Sequence, residues 1–151
     1  MGLGVSHDCF RGAYSAFMRL RQAIAAAAGL PPLQLMDGYY EEGAIVPRFL
    51  FSDEEKAGDF SKHPTLGKLP IKWDYFETDP LVTLLTHSDC EGEIAAADCE
   101  PLAARLEELL PKLGSDGGGH LEAVGGVRGA TELFIAGLRR AAAAGEDVEF
   151  R

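Results

Sequence analysis

Three stretches of the chain repeat apolar residues at the three-to-four-residue spacing of a helix. They cover residues 13–28, 98–113 and 127–144. The first stretch runs into Gly29 and the third into Gly145, which is typical of helices that end at a glycine in the left-handed conformation. The pattern therefore predicts three main helices, and Asp98 is the expected N-cap of the second.

Short β-type runs lie between and after these helices. Residues 33–36 and 43–51 flank the turn Asp37-Gly38, a pattern that predicts a hairpin, and residues 147–150 predict a final short strand. We therefore expect an α+β fold, with about three main helices packed on a small, mostly antiparallel sheet. At 151 residues, the chain predicts a single domain over residues 1–151.

Two central segments give a less definite pattern. Residues 52–77 lose all periodicity and carry charged residues, glycines and prolines, which predicts a long loop held to the core by its aromatic residues. Residues 81–85, opened by Asp79-Pro80, form an apolar run. Periodicity alone assigns this run to neither a short helix nor a core strand.

The charge balance narrows the classes of partner. A formal net charge of −10, from 24 acidic and 14 basic residues, repels a phosphate backbone, so we expect no nucleic-acid partner. An acidic surface suits solubility, a cation site or a basic protein partner. The oligomeric state is not indicated.

The number of cysteines and the hydropathy of the chain indicate the cellular compartment of the protein. The odd number of cysteines, namely Cys9, Cys90 and Cys99, cannot close a disulfide framework and fits a reducing compartment. The apolar runs are too short to cross a bilayer, and no secretory leader pattern opens the chain. We expect a cytoplasmic protein with no membrane contact.

Imidazole, carboxylate and thiol groups are concentrated at two places. These are His7-Asp8-Cys9 and His87-Ser88-Asp89-Cys90-Glu91-Gly92-Glu93. Imidazole and carboxylate groups bind divalent metals, but Cys-x-x-Cys and His-x-x-x-His spacings are absent, so a shared site requires the two segments to meet in space. We predict a divalent-cation site made by His87, Asp89, Glu91 and Glu93, joined by His7 and Asp8 if the two histidines converge.

Residues 87–98 also resemble an EF-hand loop, with Gly92 at its sixth position. The pattern fails at its first position, where His87 replaces Asp, and at its last, where Asp98 replaces Glu. Because imidazole suits softer ions than calcium, a softer divalent ion is expected. The alternative is an ordinary acidic turn, in which Gly92 takes a positive φ and Asp98 caps the next helix.

Thiol catalysis has weaker support in the sequence. A hydrolase would use Cys9 or Cys90 as nucleophile with His7 or His87 as base. On a strand His87 would share a face with Asp89 and not with Cys90, which favours a polar pair over a Cys-His dyad. Catalysis is therefore left open.

Three segments have a distinctive composition: Val5-Ser6-His7-Asp8-Cys9, residues 84–94, and Phe134-Ile135-Ala136-Gly137-Leu138. They resemble a family of small bacterial and phage proteins that has a His-Ser-Asp-Cys-(Asp/Glu)-Gly-Glu-Ile segment and no known activity. The resemblance implies a bacterial or phage cytoplasmic setting and one domain, and it carries over no catalytic residue. The metal site is our first hypothesis, and a non-catalytic accessory or regulatory protein acting through protein contact is the alternative.

Overall fold

A computed structural model describes residues 2–30, 33, 36, 73–76, 78–88, 91–115 and 121–151. These residues form four strands, β1 (Gly2–Val5), β2 (Phe10–Ala13), β3 (Gly92–Ile94) and β4 (Val148–Phe150). The helices are α1 (Tyr14–Ala27), α2 (Leu81–Leu85), α3 (Ala96–Leu109) and α4 (Gly126–Ala144). Short 3-10 segments occur at Trp73–Phe76, Leu110–Lys112 and Glu122–Val124. The three long helices and the small sheet confirm the predicted α+β class.

The four strands form one antiparallel sheet in the order β2-β1-β4-β3. Strand β1 pairs with β2 from Gly2 opposite Ala13 to Val5 opposite Phe10, and Val5 also lies opposite Phe150 of β4. The sequence pattern predicts the final strand. It does not predict the hairpin β1–β2 or the strand β3, which supply three of the four strands.

Two of the predicted helix ends are confirmed in detail. At the end of α1, Gly29 has φ 74°, its N–H donates to the Ala26 carbonyl at 3.1 Å, and the Leu30 N–H donates to the Ala25 carbonyl at 3.0 Å. This paired bonding is a Schellman ending, which needs a left-handed residue. Helix α4 ends in the same way at Gly145, with φ 68°.

The predicted start of α3 is wrong by two residues. The helix begins at Ala96, so Asp98 lies in its first turn and does not cap it. The cap comes from far along the chain instead, because Asp147 Oδ1 accepts the Ala96 N–H at 2.8 Å. The residue at the N-cap position is Ala95, whose side chain has no oxygen to accept the first N–H groups of the helix.

The ambiguous run at residues 81–85 is the short helix α2. Asp79 supports its start by accepting the Leu81 N–H at 3.0 Å. The hairpin predicted over residues 33–51 lies outside the described residues except for Leu33 and Met36, which are buried. The loop predicted over residues 52–77 also lies outside them, apart from the Trp73–Phe76 segment.

The core lies where α1, α3 and α4 meet the sheet, and α3 and α4 form the most extensive helix pair. Fully buried side chains include Phe17, Leu20, Leu106, Phe134 and Leu138. Burying each of these stabilises the fold by about 1.5–3 kcal/mol. No helix in the described ranges is long and apolar enough to cross a membrane.

Candidate functional site

His87 follows α2 and lies at the centre of the loop that leads to β3. Its Nδ1 is 2.9 Å from the Ser88 carbonyl oxygen and its Nε2 is 3.2 Å from the Glu93 carbonyl oxygen. Carbonyl oxygens only accept hydrogen bonds, and an imidazole with one N–H can donate to only one of the two. The His87 ring therefore lies between the Ser88 and Glu93 carbonyl groups, with a hydrogen bond to one of them.

Packing also holds His87 in place. The imidazole stacks on the Phe150 ring, with centroids 3.9 Å apart, and the His87 carbonyl accepts a 2.6 Å hydrogen bond from the buried Arg21 Nη1. Gly92 has φ 107°, and a Cβ there would lie 3.1 Å from the His87 ring. The positive φ of Gly92 agrees with both the EF-hand and the ordinary-turn interpretations, while the imidazole contacts favour the ordinary turn.

The five predicted metal-site residues that the structure describes lie at two places. Glu91 and Glu93 are exposed beside His87, and Asp89 lies outside the described residues. His7 and Asp8 form the turn between β1 and β2, where His7 contacts Ser6 and Glu146. Within the part of the chain that the structure describes, no three His, Cys, Asp or Glu side chains are grouped to hold a metal ion.

The turn between β1 and β2 has an unusual backbone. His7 and Asp8 both have φ 59°, and the Cys9 N–H donates to the Ser6 carbonyl at 3.2 Å. Two successive left-handed residues define a type I′ hairpin turn, for which Asn-Gly is the preferred pair. Residues held in this region cost free energy, and they concentrate at functional sites.

Helix α4 holds this turn in place. Arg140 donates two hydrogen bonds, of 3.1 and 2.6 Å, to the His7 carbonyl. Gly137 lies directly against the turn, because a Cβ on it would come within 2.5 Å of Cys9 Sγ and 2.8 Å of the His7 carbonyl oxygen. The close approach of this helix fixes the backbone of the turn at His7.

The side chains of the turn form a hydrogen-bonded row. Ser6 Oγ accepts the Glu149 N–H at 2.9 Å and lies 2.8 Å from His7 Nδ1. His7 Nε2 lies 3.5 Å from Glu146 Oε1. The row of hydroxyl, imidazole and carboxylate joins the hairpin to the chain that follows α4.

Thiol chemistry at this turn is unfavourable. Burial and then the neighbouring Cys99 raise the pKa of the Cys9 thiol to about 12, against a smaller lowering by Arg140. Burial also raises the pKa of Cys99. Because the thiolate is the nucleophile, Cys9 is suited to packing and not to catalysis. The other candidate nucleophile, Cys90, lies outside the described residues.

A groove of about 640 Å³ opens beside the turn. Its lining includes Ser6, His7, Arg11, Val124, Leu133 and Arg151. Val124 is 41% exposed and Leu133 is 46% exposed, and they are the large exposed hydrophobic residues within the described ranges. Both of them therefore lie in the lining of one groove.

Sequence reasoning misses this groove. Leu133 belongs to the apolar pattern of the third helix, but it is next to the fully buried Phe134, and successive helix residues point about 100° apart. Adjacent apolar residues of a helix can nevertheless both be buried, as Phe134 and Ile135 are, so the spacing alone does not identify Leu133 as the exposed residue. The hairpin itself gives no signal, because His7-Asp8 lacks the usual turn residues.

No protein-family model matches the chain, and neither the curated proteins nor the solved structures include a significant match.

Proposed function

We propose that this chain is a binding protein for a small organic molecule, held in the groove between the β1–β2 turn and α4. The observation that carries the proposal is the groove of about 640 Å³ with Val124 and Leu133 exposed in its lining. Ligand sites are concave, occupy about 300–1,000 Å³ and combine apolar walls with a few polar groups. This groove has the required size and both kinds of group.

The backbone of the turn supports the same assignment. His7 and Asp8 line the groove, and both are in a conformation that glycine would adopt at lower cost. Their conformation is held by Arg140 and by the close contact of Gly137. A turn needed only to reverse the chain would be more stable with Asn-Gly, so the side chains at these positions point to a role in the groove.

The test uses the neutral probe 1-octanol, titrated into the protein and followed by amide chemical shifts. We expect saturable shifts at Val124 and Leu133, and Leu133→Ser should weaken binding about fivefold because it removes apolar contact area. Leu133 is 46% exposed, so this substitution leaves the core intact.

Glu132→Ser is the matched control, since Glu132 is the preceding, exposed residue of α4 and is not part of the groove lining. It should bind 1-octanol like the unsubstituted protein. Equal affinity in the two serine variants, or shifts confined to another face, would show that the groove is not the binding site.

The divalent-cation site at residues 87–93 remains a second proposal. What supports it is the exposure of the Glu91 and Glu93 side chains in the loop centred on His87. A metal would have to replace at least one of the two carbonyl contacts of the imidazole. The ordered imidazole contacts make this the less favoured function.

Elemental analysis and a thermal-shift screen with zinc, manganese, magnesium and calcium test the cation site. If the ion binds there, the melting temperature rises, and the Glu91→Gln, Glu93→Gln double variant loses the rise. Glu122→Gln, which changes an exposed carboxylate on another element, should keep it. A metal-free protein whose melting temperature no ion changes would remove this proposal.

Two further expectations rest on the sequence alone. One is contact with a basic protein partner, and the other is a cytoplasmic location in a bacterial or phage setting. The exposed carboxylates of β3 and α3, such as Glu93 and Asp98, are compatible with such a partner. Capture of a basic protein at physiological salt, lost at high salt, would support the contact.

A further inference from the structure

We propose that the ligand of the groove is an organic carboxylate, with its acid group paired to Arg11 and its apolar part on Val124 and Leu133. This inference rests on the proposed function and adds the chemical class of the ligand. It follows from the positions of charged and apolar groups in the groove lining.

Arg11 differs from the other arginines of the described ranges. Its side chain is exposed in the groove, and no hydrogen bond or ion pair joins it to another described residue. Arg105, Arg128, Arg139 and Arg151 pair with carboxylates, and Arg21 and Arg140 donate to backbone carbonyls. An unpaired guanidinium is unexpected in a chain with 24 acidic and 14 basic residues.

The neighbouring strand leaves space beside Arg11. Its register partner on β1 is Gly4, which also lines the groove and has no side chain. The side chains of the lining include two guanidinium groups, those of Arg11 and Arg151, and one carboxylate, that of Asp8. Arg151 is already paired with Glu149. Arg11 is thus the cation available to a ligand.

The chemistry of a guanidinium favours a carboxylate. Its N–H groups match the two oxygens of a carboxylate, and such charge-assisted bonds are stronger than neutral ones. Val124 and Leu133 supply an apolar surface in the same groove. A monoanion with an apolar chain can pair with the guanidinium and also pack on the apolar surface. A protonated amine would instead be repelled by the positive charge of Arg11.

Three eight-carbon probes separate the effect of charge from that of the apolar chain: octanoate, 1-octanol and octylammonium, each kept below micelle formation. We expect octanoate to bind about fivefold more tightly than 1-octanol, as one partly exposed ion pair allows, and octylammonium to bind most weakly. Affinities come from amide-shift titrations, with shifts at the groove residues.

Arg11→Ala should lower the affinity for octanoate about fivefold relative to 1-octanol and so abolish the preference, and Arg11→Glu should favour octylammonium. Arg128→Ala is the control, because Arg128 is an exposed arginine paired with Glu132 outside the groove lining. It should keep the octanoate preference.

The outcomes separate this inference from the proposed function. Binding of 1-octanol and octanoate with equal affinity, or an octanoate preference that survives Arg11→Ala, would overturn the carboxylate assignment and leave the groove as a binding site. Absence of binding by all three probes would overturn both.

Discussion

At Gly137 the backbone of α4 comes so close to the β1–β2 turn that a side chain does not fit. The space a Cβ would need is taken by Cys9 Sγ and the His7 carbonyl oxygen, at 2.5 and 2.8 Å. One of these contacts is to backbone, which cannot move aside as a side chain could. A single missing methyl group thus allows α4 to pack directly against the turn.

Gly137→Ala should therefore lower the free energy of unfolding by about 1–3 kcal/mol, the usual cost of inserting a methyl group into a packed site. A loss of stability is informative, because replacing glycine by alanine in a helix interior normally raises the free energy of unfolding by up to about 1 kcal/mol. Urea denaturation measures the change.

Gly4→Ala provides the control, since the new Cβ would lie 3.8 Å from the Arg151 carbonyl oxygen, an ordinary contact. It should change stability by less than about 0.5 kcal/mol. A Gly137→Ala variant as stable as the Gly4→Ala variant would contradict the steric account.

Between elements, Arg21 connects α1 to the loop after α2. It is 3% exposed, its guanidinium carbon lies 4.6 Å from the centre of the Phe17 ring, and it donates to the His87 carbonyl. Phe17 in turn contacts Phe150, with ring centroids 5.8 Å apart, and Phe150 stacks on His87. The loop of residues 87–93 is thereby held to the core by one cation and two aromatic rings.

Arg21→Met keeps an apolar stem but removes the charge and the donor. It should destabilise the protein by about 2 kcal/mol, in the range measured for hydrogen bonds of charged groups. Amide exchange at Gly92 and Glu93 should also accelerate, because the loop loses its hold on α1. Urea denaturation and hydrogen exchange measure the two effects.

Arg128→Met is the control, because Arg128 is an exposed arginine of α4 whose ion pair with Glu132 lies on the surface. It should cost less than about 0.5 kcal/mol and leave exchange in the loop unchanged. If the two methionine variants behave alike, Arg21 does not position the loop.

For the whole molecule, the buried thiol of Cys9 links folding to pH. Folding raises its pKa from about 9 to about 12, mainly through burial. Between these values the folded state keeps a proton that the unfolded state has lost, so stability falls as pH rises. Below the lower value both states are protonated and the thiol contributes no pH dependence.

We expect the free energy of unfolding to fall above pH 9, with Cys9 contributing a slope of up to about 1.4 kcal/mol per pH unit. Cys9→Ala should make the fall shallower, whatever its effect on stability at neutral pH. Urea denaturation at pH 8, 9 and 10 gives both slopes, and the raised pKa of Cys99 leaves part of the fall in the Cys9→Ala variant. If the unfolding free energy falls with pH at the same slope in both proteins, folding does not raise the pKa of the Cys9 thiol.

Local patterns are enough to locate the main helices and the final strand. The apolar spacing of α1 and α4 and the glycines after them act within a few residues, so the order of residues alone identifies Gly29 and Gly145 as helix ends. The same holds for the His87 segment, where a turn with a left-handed Gly92 is one of the two predicted alternatives. These features depend on backbone geometry that neighbouring residues determine.

Features that join distant parts of the chain are not visible in such patterns. Asp147 caps α3 in place of Asp98, and Glu146 and Glu149 meet the turn of His7 across almost the full length of the sequence. The hairpin turn itself contains no glycine, so contacts from α4 and not local preference hold its left-handed residues.

The helices, their glycine ends and the acidic balance thus follow from the amino-acid sequence, because they depend on spacing and composition. Tertiary packing is what gives His7 and His87 separate contacts, turns Leu133 outward and brings Arg11 into the lining of the same groove. A groove is made by surfaces brought together in packing, and the spacing of neighbouring residues does not encode which surfaces will meet.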